Sequence, residues 1–272
     1  VRSKINFRVI CLMYLNERTV CSKFAKSLRA LSVRCQELNG EKINQYLRMR
    51  LKSFSTVTVA NERRNLLTLW RWAWESGHVT QPPRGVMRIT QRPAPVQAWT
   101  MADLAKIVDC TKDCWGEELR CGVSKGLVLR TWLILGYETG ARYGDLWNMN
   151  EGDIEGNVIR WQTSKTNVCQ HRRLTPKCMR DVNAMLQKTP DGRILGWVCN
   201  KRHAMRLMQK YLASHGMSGS SKWLRRSSAT HVEIVRPGKA KAFLGHKSPM
   251  MADKHYIDHS QIQSEDIVVP SY

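Results

Sequence analysis

Long apolar runs are missing from this sequence of 272 residues. Nothing in it approaches the roughly 18 uninterrupted apolar residues that a bilayer-spanning helix needs. The patch from Val9 to Leu15 is short even for the core of a signal peptide, and no small-residue cleavage site follows it. Acidic residues are scarce as well: 22, against 44 lysines and arginines, for a formal charge of +22. An excess that large in a foldable chain implies a polyanionic partner. Nucleic acid comes first, because each neutralised phosphate releases condensed counterions. The charge alone also admits an anionic membrane surface or a ribosomal environment. A paired cysteine framework is also lacking. Nine cysteines, an odd number, lie scattered along the chain, which suits a reducing compartment, with cytoplasm or nucleoid as the expected location. Their one cluster, Cys110, Cys114 and Cys121, matches no common zinc spacing and has no histidine within it, so no metal is expected.

What is present supports real cores, since hydrophobic residues make up 42% of the chain. Two blocks stand apart. The first, residues 1–79, reads as helical. Leu66, Leu69, Trp70, Ala73 and Trp74 recur at helical spacing and Gly77 supplies a stop. Ile43, Tyr46, Leu47 and Leu51 form a similar stripe, and Ser55 or Thr58 can cap the helix that follows. Residues 80–98 carry Pro82, Pro83, Pro93 and Pro95 among Arg84, Arg88 and Arg92. Proline is excluded from helix interiors, so this segment reads as a basic linker, its arginines suited to a phosphate backbone.

The second block, residues 99–272, is mostly helical with a small sheet. Thr100 is placed to cap a helix through Val108, and Gly126 to Tyr137 is an apolar helix with Gly140 just beyond its end. Asn157 to Gln162 and Arg172 to Leu174 read as strands joined by a polar turn, after which Thr175-Pro176 opens a helix. Further helices are expected over Lys201–Ser214, Trp223–Val235 and Met250–Ile257.

Four short segments in this block carry groups suited to phosphate chemistry. They are Thr139-Gly140-Ala141-Arg142 with Asp145 close behind, the turn Ser164-Lys165-Thr166-Asn167, the stretch from Lys222 to Arg226, and Leu244-Gly245-His246 with Tyr256 further on. Taken singly, each has an ordinary explanation: a surface arginine after a helix stop, a solvated turn lysine, a basic helix, a core tyrosine. In this order, with the tyrosine ten positions after the histidine, they resemble the tyrosine recombinase (phage integrase) family. The likeness covers nearly all of the second block, and the first resembles that family's helical core-binding domain, most closely from Ser55 to His78. One departure is plain: Lys222 stands where the family usually has histidine.

The resemblance implies a mainly α fold with a small β-sheet, a helical core-binding domain joined to a mixed α/β catalytic domain. It implies site-specific DNA recombination through a 3′-phosphotyrosyl intermediate, on double-stranded DNA, by a homotetramer spanning two sites. Tyr256 would be the nucleophile, Arg142 and Arg225 a clamp on the phosphoryl oxygens, and His246 a further hydrogen-bond donor. Lys165 would protonate the leaving 5′ oxygen, Lys222 would assist the tyrosine proton or the developing charge, and Asp145 would orient the first arginine. Arg84, Arg88, Arg92 and Arg226 would bind DNA. The link retains the bond energy, so no cofactor is required. Two other readings stay open: a type IB topoisomerase-like relaxation of supercoils, which Lys222 keeps in play, and a non-catalytic DNA-binding relative.

Overall fold

The computed structural model describes residues 7–19, 24–26, 28–29, 39–91, 94–119, 122–195, 200–246 and 249–262. The chain divides into two compact units, Val1–Ala94 and Pro95–Tyr272.

The first unit is built from α1 (Phe7–Glu17), α2 (Gly40–Leu51) and α3 (Thr56–Glu75). Asn39 caps α2 by accepting from the Lys42 amide, and Ser55 caps α3 by accepting from Thr58. The predicted stripes face inward except at Trp74, which is 43% exposed: Ile43, Leu47, Leu66 and Leu69 are fully buried together with Phe7 and Ile10. The apolar patch near the N-terminus lies on a core helix that buries Ile10, Cys11 and Tyr14 and leaves Val9 and Leu12 exposed. Arg50 pairs with Glu62 across α2 and α3, and Tyr46 donates to the same carboxylate. Much of the segment read as a linker is tied to this unit. Arg63 Nε donates to the Met87 carbonyl at 2.6 Å, Trp70 to Gln81 at 2.8 Å, and Asn44 both donates to Gly85 and accepts from the Met87 amide. Its prolines rule out helix, yet its free carbonyls still found side-chain donors.

The second unit opens on α4 (Met101–Asp109), whose Thr100 forms a reciprocal capping box with Asp103, and runs into a 3-10 turn at Cys110–Cys114. Next come α5 (Lys125–Thr139) and the short α6 (Tyr143–Asn148). The sheet is antiparallel in the order β1 (Ile154–Glu155), β2 (Val158–Gln162), β3 (Cys169–Arg173). Beyond it lie α7 (Pro176–Leu186), α8 (Lys201–Ser214), α9 (Ser221–Val235), α10 (Ala240–Leu244) and α11 (Pro249–Tyr256). The expected strand at Arg172–Leu174 begins three residues earlier, and its partners on β2 pair it from Cys169. β1 escapes sequence reading because two residues are too few to show alternation.

Helix α5 is the hub, with Leu127–Leu129 and Thr131–Gly136 all buried. A helix apolar all round belongs in a core. Gly136 lets α9 come close, since a Cβ there would stand 2.9 Å from a Leu224 methyl. Gly140 ends α5 in the left-handed region, at φ +58°, where its missing Cβ leaves room for the Phe243 ring of α10. These close approaches bring α9 and α10 to the C-terminal end of α5. A small separate core of Ala229, Ala240, Leu244, Ala252 and Ile257 then seats α11 against α9 and α10. Among the described residues no helix is long and apolar enough to cross a membrane.

Candidate active site

The turn after α5 sets the first group. With Gly140 reversing the chain, Arg142 stands in extended conformation as the N-terminal flanking residue of α6. Its guanidinium lies 3.9 Å from the Asp145 carboxylate one helical turn on, and it remains partly exposed. Asp145 is buried, and its other oxygen accepts from the Ser164 amide at 2.9 Å and the Ser164 hydroxyl at 2.6 Å. One carboxylate therefore links the start of α6 to the β2–β3 turn. Lys165 follows Ser164 at the exposed tip of that turn.

Arg225 comes from the second turn of α9, where it is only 6% exposed. It donates to the Gly140 carbonyl at 2.6 Å, to the Leu244 carbonyl at 3.0 Å and to His246 Nε2 at 3.1 Å. Because a guanidinium only donates, Nε2 of His246 accepts and the ring proton of the neutral imidazole sits on Nδ1. Tyr256, the last residue of α11, completes the group. Its ring centroid lies 4.9 Å from that of His246 and 5.0 Å from the Arg225 guanidinium carbon. The tyrosine is held from behind. Thr230 on α9 accepts from the Asp258 amide, and the Asp258 carboxylate accepts from the Ala98 amide, both at 2.9 Å.

This gathering works against itself electrostatically. Burial, and next the like charge of Arg142, push Arg225 down to about 10, so it stays charged at neutral pH. Burial, with Arg225, Arg142, His255 and Lys165 adding to it, pushes His246 down to about 4, so its ring is neutral. Three buried polar atoms here find no hydrogen-bond partner among the described residues: Arg225 Nε, His246 Nδ1 and Asp145 Oδ2. Buried polar groups are nearly always satisfied. Two unpaired donors beside crowded cations form a surface that an oxyanion would complete.

The other expected residues lie outside this cluster. Lys222 sits one turn before Arg225 on α9, exposed, with no hydrogen bond or ion pair to this cluster. Arg226 donates to the Gln97 carbonyl at 3.3 Å, which ties down the chain leading into α4. Arg84 and Arg88 are exposed in the first unit, and Arg92 lies outside the described residues. His231 is buried, and its Nδ1 meets the Tyr137 hydroxyl at 2.9 Å, away from the cluster.

Two features had no counterpart in the sequence reading. Arg172 of β3, half buried, donates to the Phe243 carbonyl and stacks 4.5 Å over the Phe243 ring, so it pins α10 to the sheet. Burial pushes its guanidinium below the usual arginine value. In the first unit, Arg63, Arg64, Arg71 and Arg88 line a cavity of about 340 Å³ beside Thr68. The spacing of 64, 68 and 71 along α3 is a helical stripe that could have been found from the sequence.

Asp145 offers a direct check on this geometry. Asp145→Ala should lower stability by about 2 kcal/mol, because it removes two hydrogen bonds to a buried carboxylate. It should also free the Lys165 turn. Urea denaturation tests the first effect, and amide exchange across residues 163–168 tests the second. Unchanged protection at Ser164 would contradict the link.

No family model matches the sequence, and no curated protein does. Solved structures do match. λ integrase, as a dimer bound to a COC′ core site, aligns at TM-score 0.78 and 20% identity over 98% of this chain and 81% of that one. The λ integrase tetramer bound to a Holliday junction aligns at 0.73 and 19% over 90% and 78%. XerH recombinase, bound to palindromic difH substrate in a post-cleavage complex, aligns at 0.69 and 13% over 96% and 88%. Mostly helical, with one small antiparallel sheet and this order of elements, the chain has the fold of a tyrosine recombinase.

Proposed function

We propose that this chain cuts and rejoins double-stranded DNA as a site-specific recombinase, with Tyr256 as the nucleophile. The observation that supports this most is the meeting of Arg225 of α9, His246 of the turn after α10 and Tyr256 of α11, with Arg142 close enough to depress Arg225. A phosphodiester is the anion that such a group of donors, with a phenol at its edge, would use.

In this reading Arg142 and Arg225 hold the non-bridging oxygens, and Nδ1 of His246 donates to one of them. The phenolic oxygen of Tyr256 attacks phosphorus, forming a Tyr–O–P bond as the bond to the 5′ oxygen breaks. Lys165, on its tethered turn, gives a proton to that departing oxygen. The tyrosine proton leaves to solvent, and Lys222 assists that loss or steadies the developing charge. The DNA is left with a 3′-phosphotyrosyl link, and attack by a 5′ hydroxyl reverses the sequence of steps, so no external energy source is needed. Fixed donors aimed at developing negative charge are each worth roughly 3 kcal/mol of barrier. Asp145 acts through Arg142 and Ser164 as a positioning residue.

Strand exchange would require several protomers, and a tetramer on two DNA sites fits a fold whose λ counterpart was captured as a tetramer on a Holliday junction. The basic cavity on α3, with Arg84 and Arg88, supplies charge for backbone contacts by the first unit. Arg92 is assigned to the same role from its place in the sequence.

The decisive experiment uses a duplex nicked next to the scissile phosphate, so that the departing fragment diffuses away and the covalent complex accumulates. A protein–DNA adduct that survives denaturant is expected. Its absence, on any duplex the protein binds specifically, would leave a non-catalytic DNA-binding protein. Relaxation of supercoiled plasmid without exchange between two duplexes would instead identify a topoisomerase.

A further inference from the structure

A second cluster in the same unit has no part in that chemistry. It joins residues more than a hundred positions apart: Cys110 and Asp113 of the 3-10 turn after α4, and His215 at the C-terminal end of α8. One ligand atom from each lies within 4.8 Å of both others. The sequence reading expected no metal because no histidine falls among the nearby cysteines. The fold brings one there.

The hydrogen bonds of His215 decide which nitrogen is available. Nδ1 lies 2.8 Å from the Tyr211 backbone carbonyl. A carbonyl has no proton to give, so Nδ1 carries the hydrogen. In the neutral ring the lone pair is therefore on Nε2, and Nε2 points at an Asp113 oxygen 3.2 Å away. A proton on Nε2, which makes the contact an ion pair, or a cation between the two atoms satisfies both. A histidine that donates one ring N–H to a carbonyl while its other nitrogen faces a carboxylate, with a thiol in the same cluster, has the orientation typical of a metal ligand. The 3.2 Å separation is close to the edge of a zinc tetrahedron, about 3.4 Å for bonds near 2.1 Å. The negative end of the α8 dipole adds to the pull on a cation.

We propose that Cys110 Sγ, an Asp113 carboxylate oxygen and His215 Nε2 bind a borderline-soft divalent cation of the zinc class. The thiol releases its proton to solvent on binding, and water fills the fourth position. Thiolate, imidazole and carboxylate together favour zinc over magnesium or calcium. Because the ligands fasten the turn after α4 to the end of α8, the ion would act as a staple between two helices of the unit.

Cobalt(II) provides the test, because a thiolate ligand gives it an intense charge-transfer absorption. The full chain, stripped of metal and held reduced, should take up one equivalent of cobalt with that band, and zinc should displace it. Zinc should also raise the thermal midpoint by several degrees. Cys110→Ser and His215→Gln, near-isosteric changes at partly exposed positions, should lose both the band and the zinc-dependent shift. Cys169→Ser, which removes an exposed thiol elsewhere, should keep them. Far-UV circular dichroism confirms that each variant is folded. A wild-type chain with no band, or a band that persists in Cys110→Ser, overturns the site. In the first case His215 and Asp113 form only an ion pair; in the second other thiols hold the cobalt. Neither result bears on the role of Tyr256, because no DNA is present.

Discussion

Tyr256→Phe is expected to abolish covalent capture of a nicked duplex while binding to the intact duplex changes by less than about twofold. The substitution removes one oxygen and nothing else of consequence to packing. Phenylalanine keeps the ring that lies 4.9 Å from His246 and 5.0 Å from the Arg225 guanidinium carbon. It therefore keeps the aromatic contact and the cation–π attraction, worth about 0.5 to 2 kcal/mol. The backbone tethers survive as well, because Thr230 and Asp258 hold α11 through main-chain and carboxylate groups. The variant should fold with its cationic pocket intact. What it lacks is an atom that can form the bond to phosphorus, and loss of a nucleophile costs on the order of 10⁴ or more in rate. A gel-shift titration measures binding, and a denaturing gel of the same mixture measures capture. An adduct from the variant at even one-hundredth of the wild-type yield would remove Tyr256 from the proposed role. Loss of binding along with capture would mean that the phenol is part of the DNA surface.

Local features of this fold were readable in advance because their causes are local. Thr100 and Asp103 sit three apart and cap each other. Gly140 follows an apolar helix and ends it with positive φ. Thr175 precedes proline and caps α7. The four segments bearing Arg142, Arg225, His246 and Tyr256 were readable only as an ordered set, since none of them is distinctive by itself. Features that depend on distant chain were not. Ser164 meets Asp145, and Arg172 meets Phe243, through turns whose register no spacing reveals. Arg226, expected to bind DNA, also donates to the Gln97 carbonyl, a contact that no spacing reveals. α10 is five residues long, too short for a period to register. The cluster at Cys110 was missed for the same reason: its histidine arrives from the far end of α8.

Arg225→Lys separates charge from geometry at the centre of the site, and it should lower the rate of capture by roughly 10² to 10³ at pH 7.5. Arginine serves three acceptors at once here: the Gly140 carbonyl, the Leu244 carbonyl and His246 Nε2. Lysine offers three donors from one small ammonium and cannot span those positions. At least one buried carbonyl then loses its partner, at a cost of about 1 to 3 kcal/mol in stability. The charge suffers too. Burial and Arg142 already bring the arginine from 12.5 down to about 10. A lysine begins lower than an arginine, near 10.4, so the same burial and the same neighbour would bring its loss of charge closer to neutral pH. A group with a lowered pKa is charged below that value and neutral above it. Capture by the variant should therefore fall between pH 7 and pH 9, whereas the wild-type arginine keeps its charge throughout that range. Single-turnover capture across those pH values, as the ratio of variant to wild type, cancels the titrations that the two share. A ratio that stays flat would mean that the ammonium remains charged, and that fork geometry alone accounts for the loss. A ratio near one at every pH would mean that Arg225 does not touch the phosphate, and the clamp would have to be built without it.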